Sequence, residues 1–179
     1  MNKSCTIEYE NTYLMKFVPK DLILAEYIEI IDIYIPRKTT HPRLRIRKRE
    51  NRYEICKKFP VKPGDGSEQH EFTIPLDGNE FDELNTNLKG KRARKYRYLY
   101  KHENRIAEID VFQDDLNGLI SVDFEFDNEN DKNQFIMPNF CLVDVTQETA
   151  IAGGMLVGKS YSDIAPILDK YNYKPLFIK

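Results

Sequence analysis

The chain has 179 residues and a nearly balanced charge, with 27 lysines and arginines against 29 aspartates and glutamates. That balance excludes a protein whose whole surface binds polyanions, so any basic function must be local. No apolar run is long enough to span a membrane and no signal peptide is recognisable, so we expect no membrane partner. Three widely spaced cysteines, Cys5, Cys56 and Cys141, indicate reduced thiols in a cytoplasmic protein rather than a disulfide framework.

Alternation of polar and apolar residues predicts eight β-strands. In chain order they are Ile7–Phe17, Tyr27–Ile35, His41–Arg49, Tyr53–Lys58, Gln69–Pro75, Lys91–Lys101, Arg105–Phe112 and Leu119–Phe126. Short polar turns join most of them, which favours antiparallel hairpins. Helices are predicted at Asp77–Leu88, where apolar residues recur at helical spacing, and at Ser160–Tyr171 in the tail. Eight antiparallel strands form either a closed barrel or a two-sheet sandwich.

The third predicted strand carries a row of like charges on one face. Alternation places four arginines on that face: Arg43, Arg45, Arg47 and Arg49. Leu44 and Ile46 take the opposite face. Four neighbouring positive charges repel one another, so this face is expected to meet either solvent or an anionic partner.

Three other strands carry paired carboxylates two residues apart, each opposite an apolar face. The pairs are Glu8 and Glu10, Glu108 and Asp110, and Asp123 and Glu125. If these faces meet water, the fold is an ordinary barrel or sandwich. If they point inward, they line a polar tunnel, and the clustering of one sign on each strand favours this second arrangement. Carboxylates suit Mg²⁺ or Mn²⁺ and arginines suit phosphate, so such a tunnel would hold a compact polyphosphate with its metal.

In these residues the chain resembles the CYTH superfamily, also called the triphosphate tunnel metalloenzymes, over nearly its whole length. The matching segments are Glu8-Tyr9-Glu10-Asn11-Thr12 for the family's E-x-E-x-K strand, Arg45 and Arg47 for R-x-R, Lys95-Tyr96-Arg97-Tyr98 for K-x-R-Y, and EIDVFQDDLNGLISVDFEF for the late acidic strands. The resemblance implies a mainly β (α+β) fold, an eight-stranded antiparallel closed β-barrel with peripheral helices. It implies a single domain over residues 1–179, with a triphosphate bound in the tunnel.

The resemblance also implies roles for individual residues. The implied metal ligands are Glu8, Glu10, Asp110, Asp123 and Glu125, with Mg²⁺ or Mn²⁺ as the ion. The implied substrate-binding residues are Arg43, Arg45, Arg47, Lys57, Lys95 and Arg97. Lys16 is added because Thr12 stands where the family has lysine, and Lys159 because family members often supply a basic residue from the tail. Glu71 and Glu108 are expected to support these groups. No catalytic residue is identified, and a metal held by Glu8 and Glu10 would activate the attacking water.

Two further patterns point elsewhere. Gly153–Ser160, GGMLVGKS, matches the P-loop expression G-x-x-x-x-G-K-[ST], but no buried strand precedes it and only 19 residues follow Ser160. The basic stripe at Lys91–Arg97 has acidic strands beside it, which would repel a nucleic-acid backbone. We therefore expect neither a P-loop domain nor a nucleic-acid partner.

The leading hypothesis is a metal-dependent hydrolase of a small-molecule triphosphate, most simply inorganic tripolyphosphate, acting as a cytoplasmic monomer or homodimer. An adenylate cyclase of the same family is one alternative, and it requires a nucleoside pocket at the tunnel mouth that the sequence does not identify. A non-catalytic barrel that binds polyphosphate or RNA is the other. Such a barrel would bind without metal and release no phosphate.

Overall fold

The computed structural model describes residues 5–178, and at its centre is a closed antiparallel β-barrel. Its strands are β1 (Thr6–Met15), β2 (Tyr27–Ile35), β3 (Leu44–Arg49), β4 (Arg52–Pro60), β5 (Glu68–Leu76), β6 (Lys91–His102), β7 (Arg105–Phe112) and β8 (Ile120–Phe126). The hydrogen-bonded order is β5-β4-β3-β2-β6-β7-β8-β1, and pairing of β1 with β5 closes the ring. The predicted eight-stranded antiparallel barrel is therefore confirmed.

Short elements outside the barrel complete the fold. A ninth strand, β9 (Cys141–Asp144), pairs with the end of β1 that β5 leaves free. The helices are α1 (Gly78–Leu88), α2 (Glu129–Asn133), α3 (Gly153–Leu156) and α4 (Tyr161–Leu168). The helices predicted after the fifth strand and in the tail are present as α1 and α4, and capping boxes begin both of them. Among residues 5–178 no helix is long and apolar enough to cross a membrane.

Most of the apolar core lies outside the barrel rather than within it. Ile109 on β7 and Val122 and Phe124 on β8 are completely buried beneath the tail, where Phe124 and Phe135 have ring centroids 4.5 Å apart. On the other side of the barrel, α1 buries Phe81 against the outward faces of β2 and β3. Because successive side chains on a strand point to opposite faces, this outer core leaves the charged faces inside.

The tail is held to the barrel by a buried tyrosine. The hydroxyl of Tyr173 donates to the carbonyl oxygen of Gly118 at 2.9 Å and accepts from the amide of Ile120 at 2.8 Å. Tyr173→Phe is expected to lower the free energy of unfolding by about 1–3 kcal/mol, because it leaves a buried amide without an acceptor. Urea unfolding measures the change. Tyr100→Phe, which loses an exposed hydrogen bond to Asp21, is the control and should change stability by less than about 0.5 kcal/mol.

Candidate functional site

The barrel encloses a cavity of about 320 Å³, here called the tunnel. Charged side chains line it in equal numbers: seven are acidic and seven are arginine or lysine. A cavity of this kind is poorly suited to an isolated anion, because its own carboxylates repel it. It is well suited to a ligand that carries both signs, such as an anion together with a divalent cation.

The two signs occupy opposite sides of the tunnel. The acidic arc lies on the neighbouring strands β7, β8, β1 and β5 and consists of Asp110, Asp123, Glu125, Glu8, Glu10 and Glu71. The basic arc lies on β6, β3 and β4, with β2 between, and includes Arg43 just before β3. It consists of Lys95, Arg97, Arg43, Arg45, Arg47, Arg49 and Lys58. The separation follows from the order of the strands around the ring.

A buried aspartate on β2 fixes one arginine of the basic arc. Arg47 donates from Nε to Oδ1 of Asp32 at 2.5 Å and from Nη2 to Oδ2 at 2.8 Å. Both side chains are nearly inaccessible, with 3% and 4% of their surface exposed. Burial opposes ionisation of Asp32, but the charges of Arg47 and Arg45 outweigh it and hold the pKa of Asp32 well below its usual range. Arg47 is therefore a fixed charge, and the two guanidinium nitrogens that could bind a phosphate together already donate to Asp32.

Asp32→Ala is expected to lower the free energy of unfolding by about 3–5 kcal/mol, because it leaves the guanidinium of Arg47 buried and unpaired. Urea or thermal unfolding measures this loss. Glu29→Ala is the matched control on the same strand. Glu29 contacts Arg94 on the outer surface at 3.3 Å, and removal of such an exposed pair should cost less than about 1 kcal/mol. Equal, small losses in both variants would contradict the assigned role of Asp32.

Arg45, the neighbour of Arg47 on the same face, keeps free hydrogen-bond donors. Its Nη1 donates to the hydroxyl of Tyr34 at 3.1 Å, whereas its Nε lies 3.8 Å from Oδ1 of Asp32. The buried Nε atoms of Arg45 and Arg49 have no hydrogen-bond acceptor within residues 5–178. Buried donors of this kind are costly unless a ligand satisfies them. The arginines of the tunnel thus differ in their availability to an anion.

Arg97 and Lys95 face the acidic arc and contact it directly. Arg97 donates to both oxygens of Asp110 at 2.7 and 2.6 Å, reaches Asp123 at 3.3 Å and also contacts Glu108. Lys95 contacts Asp110 as well. With both oxygens of Asp110 engaged, the positive charges of Lys95 and Arg97 disfavour a metal ion there unless one of them moves. Glu108 does not line the tunnel and instead supports Arg97.

Lys58 lies in the tunnel at the boundary between the two arcs. It contacts Glu8, lies 3.1 Å from Glu71 and is 4.0 Å from Glu10. Burial disfavours its charge, but the surrounding carboxylates raise the pKa of Lys58 well above its usual range. Lys58 is thus a permanent cation that partly neutralises the acidic arc.

Three predicted lysines lie outside the tunnel. Lys57 is exposed on the outer face of β4, because it shares that face with Tyr53 and Ile55, which pack near α1. The alternation of β4 therefore places Lys58 in the tunnel instead. Lys16 follows the end of β1, where the pairing with β9 is irregular, and is exposed. Lys159 lies before the capping residue of α4 and does not line the tunnel either.

Three carboxylates of the acidic arc have raised pKa values, because burial and neighbouring carboxylates outweigh the protein cations beside them. Burial, with the neighbouring charges of Glu71 and Glu10, raises the pKa of Glu8 to about 7, although Lys58 opposes the rise. Burial, with the charges of Glu10 and Asp110, raises the pKa of Asp123 to about 8. Burial also raises the pKa of Glu125. Each shift means that the ionised form is disfavoured, which a divalent cation would reverse.

The donor set fits a hard divalent ion in chemistry, because oxygen ligands such as carboxylates are those that Mg²⁺ and Mn²⁺ prefer. Glu10 is the cross-strand partner of Glu125, and Asp123 lies two residues away from Glu125 on the same face. Across residues 5–178, however, no three acidic, histidine or cysteine side chains lie close enough together to hold an ion. Side-chain rotation, with Glu8 leaving Lys58, is required to assemble the ligands.

Comparison with known proteins bears on this geometry. No protein-family model matches the chain. A relative from Nitrosomonas europaea described as an inorganic triphosphatase is 28% identical over 142 residues, covering 79% of this chain and 90% of the relative. A crystal structure of an inorganic triphosphatase superimposes with a TM-score of 0.60 at 24% identity, covering 84% of this chain and 93% of that one. A Bacillus halodurans protein provisionally described as an adenylate cyclase gives a TM-score of 0.54 at 15% identity, with coverage of 99% and 96%.

The structural likenesses, all below 25% identity, concern the fold, and the sequence relative covers most of both chains. The resemblance to the CYTH superfamily is confirmed. The chain departs from the CYTH pattern at Thr12, in the place of the lysine of E-x-E-x-K. The hydroxyl of Thr12 donates to Oδ1 of Asp123 at 2.8 Å. This position therefore orients a carboxylate of the acidic arc and supplies no positive charge.

Sequence reasoning missed Lys58, Asp32 and Tyr34. The sequence of β4 alone indicates that Lys57 does not face the tunnel, because Lys57 shares a face with the apolar residues Tyr53 and Ile55. Asp32 has no such signal, because a single carboxylate in the apolar strand YIEIIDIYI shows neither its burial nor its partner on β3.

Proposed function

We propose that this protein hydrolyses a triphosphate in the tunnel, with inorganic tripolyphosphate as substrate and a divalent metal ion as cofactor. The observation that carries the proposal is the pairing of a basic arc with an acidic arc around one cavity inside the barrel. The activity named for the Nitrosomonas europaea relative agrees with it. Opposite charges on opposite walls suit a substrate that is a polyanion bound to its metal.

The basic arc holds the phosphate chain in this proposal. Arg43, Arg45 and Arg49 bind phosphate oxygens, and the free donors of Arg45 and Arg49 support this assignment. Arg47 and Arg97, fixed by buried aspartates, contribute positive potential and set the shape of the wall. Lys95 and Lys58 lie where each arc meets the other and contact phosphate when the carboxylates that they now neutralise bind metal.

The acidic arc holds the metal in this proposal. Glu8, Glu10, Asp123 and Glu125 are the ligands, with Asp110 joining if Lys95 or Arg97 moves toward substrate. Mg²⁺ or Mn²⁺ would lower the pKa of a bound water and neutralise charge on the phosphoryl group. Glu71 holds Lys58 in position. A single domain over residues 1–179, a cytoplasmic location, a monomer or homodimer, and the absence of nucleic-acid partners all stay predictions.

Phosphate release from tripolyphosphate and ATP, with Mg²⁺, with Mn²⁺ and with excess chelator, tests the proposal. We expect release from tripolyphosphate that requires metal and falls to background with chelator. Formation of cyclic AMP from ATP would support the cyclase instead. Binding of tripolyphosphate that persists in chelator, without release of phosphate under any condition, would replace the enzyme with a binding barrel.

A further inference from the structure

One end of the tunnel is covered by residues 145–156, here called the closing segment. Ten of its twelve residues line the cavity. Leu14 on β1 and Phe112 on β7 point inward at this end, and Val145, Ile151 and Leu156 of the segment pack in one buried apolar cluster with them. The segment is thus seated on the barrel as part of the core, and it closes the tunnel where β1 and β7 end.

The two glycines that begin the P-loop-like sequence make this closure possible. A Cβ atom on Gly154 would lie 2.3 Å from the carbonyl oxygen of Pro42, and one on Gly153 would lie 2.5 Å from the hydroxyl of Tyr34. The contact of Gly154 is with backbone, so a side chain there would force the segment away, whereas a side chain at Gly153 would have to displace the Tyr34 ring. At Gly154 the backbone therefore approaches the wall of the tunnel more closely than any other residue would permit. The glycine-rich sequence closes the tunnel here and does not form a loop around phosphate.

Hydrogen bonds also hold the closing segment in place, at its N-terminal part. The side chain of Gln147 donates to Oδ1 of Asp65 at 3.0 Å and accepts from the amide of Gly66 at 2.9 Å. The amide of Val145 donates to the carbonyl oxygen of Thr12 at 2.8 Å. The segment is thus held to the 62–67 loop, to β1 and to the connection before β3.

The other end of the tunnel has no comparable cover among residues 5–178. By strand alternation Leu99 on β6 and Ile106 on β7 point inward at that end, and 37% and 48% of their surfaces are exposed. Thr73 on β5 is exposed there as well. This end of the barrel, here called the mouth, is therefore open to solvent.

We infer that the closing segment makes the tunnel blind, so that the site accepts only triphosphates with at least one unsubstituted terminal phosphate. This inference rests on the proposed function. The free end of the phosphate chain lies toward the closing segment, and any organic group on the other end remains at the mouth. A triphosphate with organic groups on both ends has no end that fits, because one of its groups must occupy space that residues 145–156 fill.

Three compounds test the inference. Tripolyphosphate has no organic group, ATP has one at one end of its triphosphate, and a P1,P3-dinucleoside triphosphate has one at each end. Binding is measured with Mg²⁺ present, by inhibition of tripolyphosphate hydrolysis. We expect ATP to compete, and the disubstituted compound to bind about 100-fold more weakly than tripolyphosphate. Equal binding of the disubstituted compound would overturn the inference alone. Absence of tripolyphosphate binding and hydrolysis would overturn the proposed function, and the inference with it.

Variants of the closing segment assign the selectivity to it. Gly154→Ala displaces the segment from Pro42 and is expected to reduce the discrimination against the disubstituted compound about tenfold. Gly78→Ala is the matched control, because its Cβ would lie at an ordinary 3.6 Å from Tyr53, remote from the tunnel. Thermal unfolding verifies that each variant is folded. If Gly154→Ala does not fold, Gln147→Ala replaces it, because this substitution removes only the contacts with Asp65 and Gly66. It too is expected to reduce the discrimination against the disubstituted compound. Wild-type discrimination in the folded variants would contradict the inference.

Discussion

Glu10→Gln is expected to reduce metal-dependent phosphate release from tripolyphosphate by about 100- to 1,000-fold, and to raise the metal concentration needed for half-maximal activity. Glu10 lines the acidic arc, lies opposite Glu125 and is 4.0 Å from Lys58, so its carboxylate is the least engaged by protein cations on β1. The amide of glutamine keeps the volume and loses the charge. A hard divalent ion binds an amide oxygen much more weakly than a carboxylate.

Kinetics at several Mg²⁺ concentrations, with thermal unfolding as a check on the fold, measure the effect. Glu83→Gln, on the exposed surface of α1, is the control and should retain wild-type kinetics. Removal of one negative charge from the crowded acidic arc is not expected to destabilise the protein, because like charges surround it. A variant with unchanged metal dependence would exclude Glu10 from the ligands and shift the assignment toward Glu125 and Asp123.

The barrel could be predicted because nearly every strand carries its own pattern. Alternation indicates which face is charged even where the partner strands are unknown, so the arginines of β3 were placed on one face, and they line the tunnel together. Segments without such alternation could not be predicted from the sequence. β9 has four residues, too few to show alternation, and the closing segment has no period at all.

The arrangement of the site depended on long-range pairing that a sequence does not display. Asp32 and Arg47 are fifteen residues apart and meet only because β2 and β3 pair in one register. The family resemblance indicates Lys57, although the alternation of β4 indicates Lys58. Where a motif and the local alternation disagree, the physical pattern is the better guide, because one step along a strand reverses the face.

Arg45→Ala is expected to lower kcat/KM for tripolyphosphate by about 100- to 10,000-fold, because it removes two charge-assisted hydrogen bonds worth about 1.5–3 kcal/mol each. The kcat/KM of Arg45→Lys should lie between those of Arg45→Ala and the wild type, with most of the change in KM. Lysine keeps the positive charge and loses the planar fork that binds two phosphate oxygens. The buried Nε of Arg45, which has no acceptor among the described residues, is the donor that substrate would satisfy.

The comparison that decides the role of Arg45 is with Arg47, two residues away on the same face. Because Asp32 occupies the fork of Arg47, Arg47→Lys should cost stability and affect KM much less than Arg45→Lys. Arg94→Lys, which alters an exposed pair with Asp114, controls for loss of a guanidinium outside the tunnel. Steady-state kinetics and urea unfolding on all three variants separate binding from folding. If Arg47→Lys remains stable and raises KM the more, substrate must displace Asp32, and the arginine strand binds phosphate through its most buried member.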